Sequence, residues 1–404
     1  MPRLISFCGL FVLIGLAWLM SSNKRRFPWR VVIGGLGLQL MFGVVILKTD
    51  AGRVVFQWLG DRITNLLNFV DQGAGFVFGP KYQDFYFAFK VLPTIIFFSA
   101  LMSILYHFGV MQMVTRVFAA LMQKTLGTSG AETLAAAANI FVGQTEAPLV
   151  IRPYVASMTQ SELMAVMVGG FANVAGGVLA AYVGMGINAV HLLASSVISA
   201  PASLLLAKVL QPEVDHPKTL GKVSMEEAPE STNALHAASM GAADGVKLAL
   251  NVGGMLIAFL ALIALANALF AWCGGLFGMD WSLSGLLSYI FAPVAFVLGV
   301  ESKDCLHVGQ LLGIKIVGNE FIAYEQLAKW LATDSTVHLS ERSTMLVTYA
   351  LCGFANFGSI GIQIGGIGPL APEREPDLAR LGLRAMLGGA LASCMTACIA
   401  GMLV

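Results

Sequence analysis

Apolar runs long enough to cross a bilayer recur along the whole chain, and they restrict its fold more than any other feature. Residues 4–20 (LISFCGLFVLIGLAWLM), 31–47 (VVIGGLGLQLMFGVVIL) and 248–271 (LALNVGGMLIAFLALIALANALFA) each approach or exceed the ~20 residues that span a hydrocarbon core. Further runs lie at 91–106, 163–187, 189–210, 343–368 and 381–404. Only 12% of the 404 residues are charged, about half the usual share of a soluble protein. Lipid offers the backbone no hydrogen bonds, so such runs have to pair their own N–H and C=O groups as helices. The fold class expected is an all-α polytopic membrane protein. The first run carries its charge cluster, NKRRFPWR, on the C-terminal side and lacks a small-x-small cleavage site. It therefore reads as a retained helix rather than a signal peptide.

With SSNKRRFPWR in the cytoplasm, the first helix runs inward and the second returns outward. Following the alternation puts 211–233 and 371–384 inside, and 14 of the 24 Lys and Arg residues with them. The prolines and charges of 211–233 mark the one obvious linker. Two amphipathic stretches, 52–70 and 111–127, and the more apolar 281–299, interrupted by Pro293, are expected to lie along the membrane face. A net charge of +1 gives no reason to expect nucleic acid. The six cysteines form no CxxC pair, the six histidines no HExxH, and no nucleophile–base pair stands out. An enzyme is accordingly disfavoured.

A repeat explains the polar residues in the apolar runs. GGFANVAGG (169–177) and CGFANFGSIG (352–361) share Gly-Phe-Ala-Asn, and each follows a glycine-marked break holding a carboxylate. The first break is Gly143, Gln144, Thr145, Glu146; the second is Gly318, Asn319, Glu320. Glu146 precedes Asn173 by 27 residues and Glu320 precedes Asn356 by 36, the extra residues falling in the polar loop LATDSTVHLSERS. Duplicated units of this kind are typical of secondary transporters. As a helix, 130–142 would reach about 20 Å, too short for a core of ~30 Å. A short arm in and a short arm out make a re-entrant hairpin, and 301–331 repeats the form. The orientation puts one base inside and the other outside, so the two tips are expected to meet near the midplane.

A carboxylate facing lipid costs about 2.5–3.5 kcal/mol; two of them facing one cavity instead make a polar site. Its expected lining is Gln144, Thr145 and Glu146, with Asn319, Glu320, Asn356 and Ser359. Amides, hydroxyls and carboxylates without a lysine or arginine suit a neutral, donor-rich molecule such as a sugar, nucleoside or polyol. Phe171 and Phe354 either face a ring or simply pack. Asn139 and Asn173 either cap broken helices or, with carbonyls freed at the breaks, cage a hard monovalent cation.

GQTEAP (143–148), NEFIAY (319–324) and GFANFGSIGIQIGG (353–366) resemble the motifs of the concentrative nucleoside transporter family, in its bacterial, sodium-coupled form. The resemblance extends over the whole chain. It implies eight transmembrane helices, three interfacial helices and two opposed re-entrant hairpins in an internal inverted repeat. It also implies a homotrimer moving nucleosides by an elevator motion. On that layout 1–127 hold scaffold helices 1–3 with interfacial helices, and 128–210 hold transport repeat 1 (hairpin 1, helices 4–5). Residues 211–247 form a cytoplasmic linker, 248–300 scaffold helix 6 and an interfacial helix, and 301–404 transport repeat 2 (hairpin 2, helices 7–8). Gln144, Thr145 and Glu146 would then meet the nucleobase of a uridine-like substrate, with Val178 beside it. Glu320, Asn356 and Ser359 would hold the ribose, with Phe354 against the sugar. The coupling ion, sodium, would sit between the Asn139 side chain, the Val142 and Val174 carbonyls and the side chain of Asn173. There this chain has NVAGG where sodium-coupled relatives commonly have a SIAGS-like run; asparagine keeps an oxygen but is bulkier. The alternative is a proton-coupled nucleoside symporter with Glu146 or Glu320 as carrier; a channel or signalling protein fits the duplicated breaks less well. The expected location is a bacterial inner membrane, multi-pass.

Overall fold

The computed structural model describes residues 2–404 apart from 86, 221–230, 280 and 333–334. Part of the expected linker (221–230) and of the loop before the second GFAN (333–334) thus lies outside the described residues. Every named element of the described chain is a helix, and the only β-type pairing among the described residues is an isolated bridge between Ser129 and Leu220. The elements are α1 (Pro2–Leu19), α2 (Trp29–Lys48), α3 (Asp50–Phe78), α4 (Leu92–His107), α5 (Val110–Leu126), α6 (Gly130–Ala138), α7 (Arg152–Val155), α8 (Gln160–Ala172) and α9 (Gly176–Gly184). They continue as α10 (Ala189–Leu210), α11 (Ala234–Gly275), α12 (Leu283–Leu298), α13 (Cys305–Val317), α14 (Glu320–Leu331), α15 (Glu341–Leu351), α16 (Phe357–Ile367) and α17 (Glu375–Leu403).

Seven helical stretches are long and apolar enough to span, by length and composition, among the described residues. The eighth expected run, 343–368, is divided into α15 and α16, each only 11 residues long. Burial sorts the seven. The apolar 18-residue segments within 160–184 and 189–210 are 89% and 83% buried inside the protein, whereas that within Ala234–Gly275 is 11% buried. So α8, α10 and α17 form the nucleus, while α11 turns its apolar surface outward. What holds α11 is close packing on α4. A Cβ at Gly241 would lie 2.6 Å from the Ser99 carbonyl, and one at Gly245 would lie 2.7 Å from the Ile96 Cα. This small-xxx-small spacing lets two backbones approach where no hydrophobic effect drives them together. Gly309 and Gly313 serve α13 against α12 in the same way.

Several ends differ from the sequence expectation. The amphipathic stretch at 52–70 extends to Phe78, and Thr49 starts it by accepting from the Gly52 amide at 3.0 Å. The first arm, expected as a helix over 130–142, stops at Ala138, and 139–146 turn without regular helix. Its return is a 3-10 turn (Ala147–Ile151) followed by the four-residue α7. Pro148 and Pro153 remove two backbone donors there, so no continuous helix can form. The second arm pair, α13 and α14, is regular and breaks only at Gly318 and Asn319.

The two GFAN segments both fall at helix breaks, and the breaks touch. Asn173 ends α8 and Asn356 starts α16. The Phe354 N–H donates to the Asn173 carbonyl at 3.3 Å. A Cβ at Gly353 would lie 2.7 Å from the Phe171 carbonyl, so only glycine permits this approach.

Candidate functional site

One face of α16 gathers the site. Asn356, Ser359, Gln363 and Gly366 recur at intervals of three and four residues, which places them on one side of a helix. Ten residues at 1.5 Å per residue separate the ends by about 15 Å. At the near end, Glu320 opens α14 and points its carboxylate at this face. Its Oε2 accepts from Asn356 Nδ2 at 3.0 Å, and its Oε1 accepts from the Tyr182 hydroxyl at 3.2 Å. Asn356 also caps α16, its Oδ1 accepting from the Ser359 amide at 2.9 Å. Glu320 lies in the first turn of its own helix, where a negative charge is favoured by the dipole. Asn319, expected in the lining, uses its Oδ1 to cap α14 through the Ile322 amide at 2.9 Å.

At the far end sits the first break. Gln144 Oε1 accepts from Gln363 Nε2 at 3.2 Å, and a Cβ at Gly366 would lie 2.5 Å from Thr145 Cγ2. Thus Gln144 and Thr145 rest on the same helix face as Asn356 and Ser359, one to three turns away. Glu146 is exposed and folds its carboxylate back over Gly143. No hydrogen bond joins Glu146 to Glu320 among the described residues. Val178 is buried in the first turn of α9, two residues after Gly176, whose amide donates to the Phe141 carbonyl at 3.0 Å. Phe354 is half-buried, whereas Phe171 is fully buried with its Cβ against Gly389 of α17. Phe171 is therefore packing, which closes that alternative.

Asn139 and Asn173 occupy the C-caps of α6 and α8, two helix ends that converge. Asn173 Nδ2 donates to the Gly169 carbonyl at 3.3 Å, and a Cβ at that same glycine would lie 3.0 Å from Asn139 Nδ2. Among the described residues neither amide atom of Asn139 has a partner, nor does Asn173 Oδ1, and both residues are 1% exposed. A capping role explains one of these four atoms. Two unpaired amide oxygens beside two helix C-termini, which carry partial negative charge, suit a hard cation. The Phe141–Gly176 bond ties the turn containing Val142 to the break containing Val174, so their carbonyls belong to the same junction.

Three further residues join the site without having been singled out from sequence: Tyr182, Gln363 and Lys315. Lys315 is 2% exposed and donates from Nζ to the Ala350 carbonyl at 2.8 Å, in the last turn of α15. Its signal was present: one lysine in the apolar run LLGIKIV, five residues before Glu320. A lone intramembrane charge is a functional candidate by default. A second polar cluster lies at the base of the first arm. Lys208 pairs with Glu132 at 2.7 Å and Glu213 at 3.1 Å, and donates to Ser161 at 2.8 Å. Ser129 donates to Glu162 at 2.5 Å, linking the N-terminal capping boxes of α6 and α8. A 560 Å³ cavity beside this cluster, lined by Arg25, Trp29 and His216 among others, contains none of the α16-face residues.

Comparison with known proteins gives concordant matches. Residues 8–81 match the N-terminal model of Na+ dependent nucleoside transporters, 191–401 the C-terminal model, and 88–189 a model described as nucleoside recognition. Human solute carrier family 28 member 3 is 46% identical over 413 residues, covering 99% of this chain and 60% of that protein. Rat sodium/nucleoside cotransporter 1 is 46% identical over 416 residues, 99% of this chain and 64% of that one. The chain thus spans about six tenths of the length of these mammalian relatives. An uncharacterized transporter of Haemophilus influenzae is 46% identical over 411 residues, covering 100% of this chain and 98% of its own. Among solved structures, CNTnw in an inward-facing substrate-bound state matches with a TM-score of 0.93 at 43% identity, over 100% of this chain and 98% of that one. A CNTnw variant in an outward-facing state matches with a TM-score of 0.93 at 42% identity, over the same shares.

Proposed function

The chain belongs to the concentrative, Na+ dependent nucleoside transporter family, transporters rather than enzymes, and on that premise we propose that it is a symporter importing uridine-like nucleosides with sodium. The observation that carries the reading is the single face of α16 that connects Glu320 and Asn356 with Gln144 and Thr145. Glu320, Asn356 and Ser359 hold the ribose hydroxyls, with Phe354 against the sugar. Gln144, Thr145 and Glu146 meet the base, with Val178 beside it. Carboxylate oxygens accept from the ribose O–H groups, which a neutral amide would do more weakly.

Sodium is assigned to Asn139 and Asn173 with the Val142 and Val174 carbonyls. Supporting this are the unpaired, buried amide oxygens, which a cation would satisfy. Because Asn139 lies five residues before Gln144, an ion there orders the turn that presents the base contacts. Ion and substrate then favour the same closed arrangement, the requirement for coupling.

The finer architecture belongs to the same proposal. The α15–α16 pair is the eighth span, broken at Cys352–Asn356. The chain from 130 to the end of α7 and residues 301–331 are the two opposed re-entrant hairpins of an inverted repeat, and α3, α5 and α12 lie along the membrane face. Residues 128–210 and 301–404 move as a transport unit against a scaffold of 1–127 and 248–300, with 211–247 as linker, in an elevator motion. Three copies form the assembly, α11 offering the outward apolar surface, and a bacterial inner membrane is the setting. Equilibrium binding of uridine to the purified protein, with and without sodium, tests the coupling. Sodium is expected to raise affinity at least about fivefold; equal affinities would remove the coupling from this account.

A further inference from the structure

Gln363 has no place among the roles assigned above, yet its amide decides which way Gln144 faces. It is 0% exposed, and its Nε2 donates to the Met167 carbonyl at 3.0 Å and to Gln144 Oε1 at 3.2 Å. A carbonyl oxygen only accepts, so the Gln363 atom facing Met167 has to be the NH2 group. The flipped amide would oppose two oxygens and bury an NH2 without an acceptor. Its own Oε1 has no donor among the described residues, so none of them favours the flip on that side. The second hydrogen of the same NH2 meets Gln144, and the Gln144 atom there has to be an acceptor. What remains is the Gln144 NH2 group, which makes no hydrogen bond with the described residues. Space for the arrangement comes from Gly170. A Cβ at Gly170 would lie 2.6 Å from Gln363 Nε2 and 2.9 Å from Gln144 Cβ.

We propose that Gln363 is a positioning residue that fixes Gln144 as a hydrogen-bond donor toward the nucleobase, so that the transporter selects bases presenting an acceptor, a ring carbonyl or unprotonated ring nitrogen, at that edge. The polarity runs from a backbone carbonyl that cannot change, through Gln363, to the site. The inference rests on the assignment of Gln144 to the nucleobase.

The test is uptake into proteoliposomes of uridine, of its analogue lacking the 4-carbonyl, and of 2-thiouridine, whose sulfur is a weaker acceptor. Wild-type protein is expected to raise KM about threefold to tenfold for at least one of these analogues. Gln363→Met, which keeps the volume without the amide, is expected to bring that ratio close to one. Discrimination against 3′-deoxyuridine, read by Glu320 and Asn356, stays as in wild type, which a merely misfolded variant would not show. Gln363→Glu is the second variant: a carboxyl has one O–H at most and cannot serve both oxygens, so the same loss is expected. Base discrimination that survives both variants, or that wild type lacks, overturns the inference. Wild-type protein that takes up no uridine overturns the nucleoside reading, and this inference with it.

Discussion

Besides the ribose contact proposed for it, Asn356 makes two separable hydrogen bonds within the protein, and separating them tests the ribose half of the site. Its Oδ1 caps α16 and its Nδ2 donates to Glu320, at 2.9 and 3.0 Å. Serine is an equally good N-cap, but its hydroxyl has no second arm to reach Glu320. Asn356→Ser is therefore expected to keep the helix start and leave Tyr182 as the carboxylate's remaining side-chain donor among the described residues. A hydrogen bond to a charged group contributes about 1.5–3 kcal/mol. If that energy orients Glu320 for the ribose, uridine KM rises between about 10-fold and about 150-fold, at 1.4 kcal/mol per factor of ten. Asn356→Ala loses the donor and the cap together, adding about 1 kcal/mol of destabilisation. Uptake kinetics read the first effect and thermal unfolding in detergent the second. A serine variant with wild-type KM would refute the role of the Asn356–Glu320 bond, and one that melts like the alanine variant would refute the capping argument.

Other substitutions probe the remaining joints. Gly353→Ala sets a methyl group 2.7 Å from both the Phe171 carbonyl and Ser393 Oγ; a loss of about 1–3 kcal/mol is expected, seen as a lower melting temperature. Lys208→Met strands the buried Glu132 carboxylate, a change expected to cost about 3–5 kcal/mol; adding Glu132→Gln should recover part of it in the same unfolding assay. Asn139→Leu removes a buried amide that satisfies none of its polar atoms. The expected outcome is a protein at least as stable as wild type whose uridine binding no longer responds to sodium, and an unchanged response would exclude Asn139 as a ligand.

Legibility in the sequence followed the range of the forces involved. Runs at 4–20, 31–47 and 189–210 became Pro2–Leu19, Trp29–Lys48 and Ala189–Leu210, because hydropathy and length alone decide such helices. A helix end at Asn173 was one of the two roles the sequence left open for that asparagine. By contrast, the run beginning at 248 lies inside a helix that starts at Ala234. Its polar first turns are held against α4 by Gly241 and Gly245, a partner that periodicity does not name. The early end of α6 at Ala138 reflects the convergence of α6 and α8, again a tertiary matter. Within the site, Glu320 and Gln144 announced themselves as polar residues beside glycine breaks. Tyr182 and Gln363 did not, since a tyrosine in an apolar helix or a glutamine among glycines acquires meaning only from the carboxylate or amide it faces.

The most direct test of the account is uptake of labelled uridine into proteoliposomes under an inward sodium gradient, compared with an inward proton gradient alone. Accumulation with sodium and none with protons is the predicted result. Accumulation driven by protons in sodium-free buffer would contradict the sodium assignment and leave the amide oxygens of Asn139 and Asn173, which have no partner among the described residues, without their role.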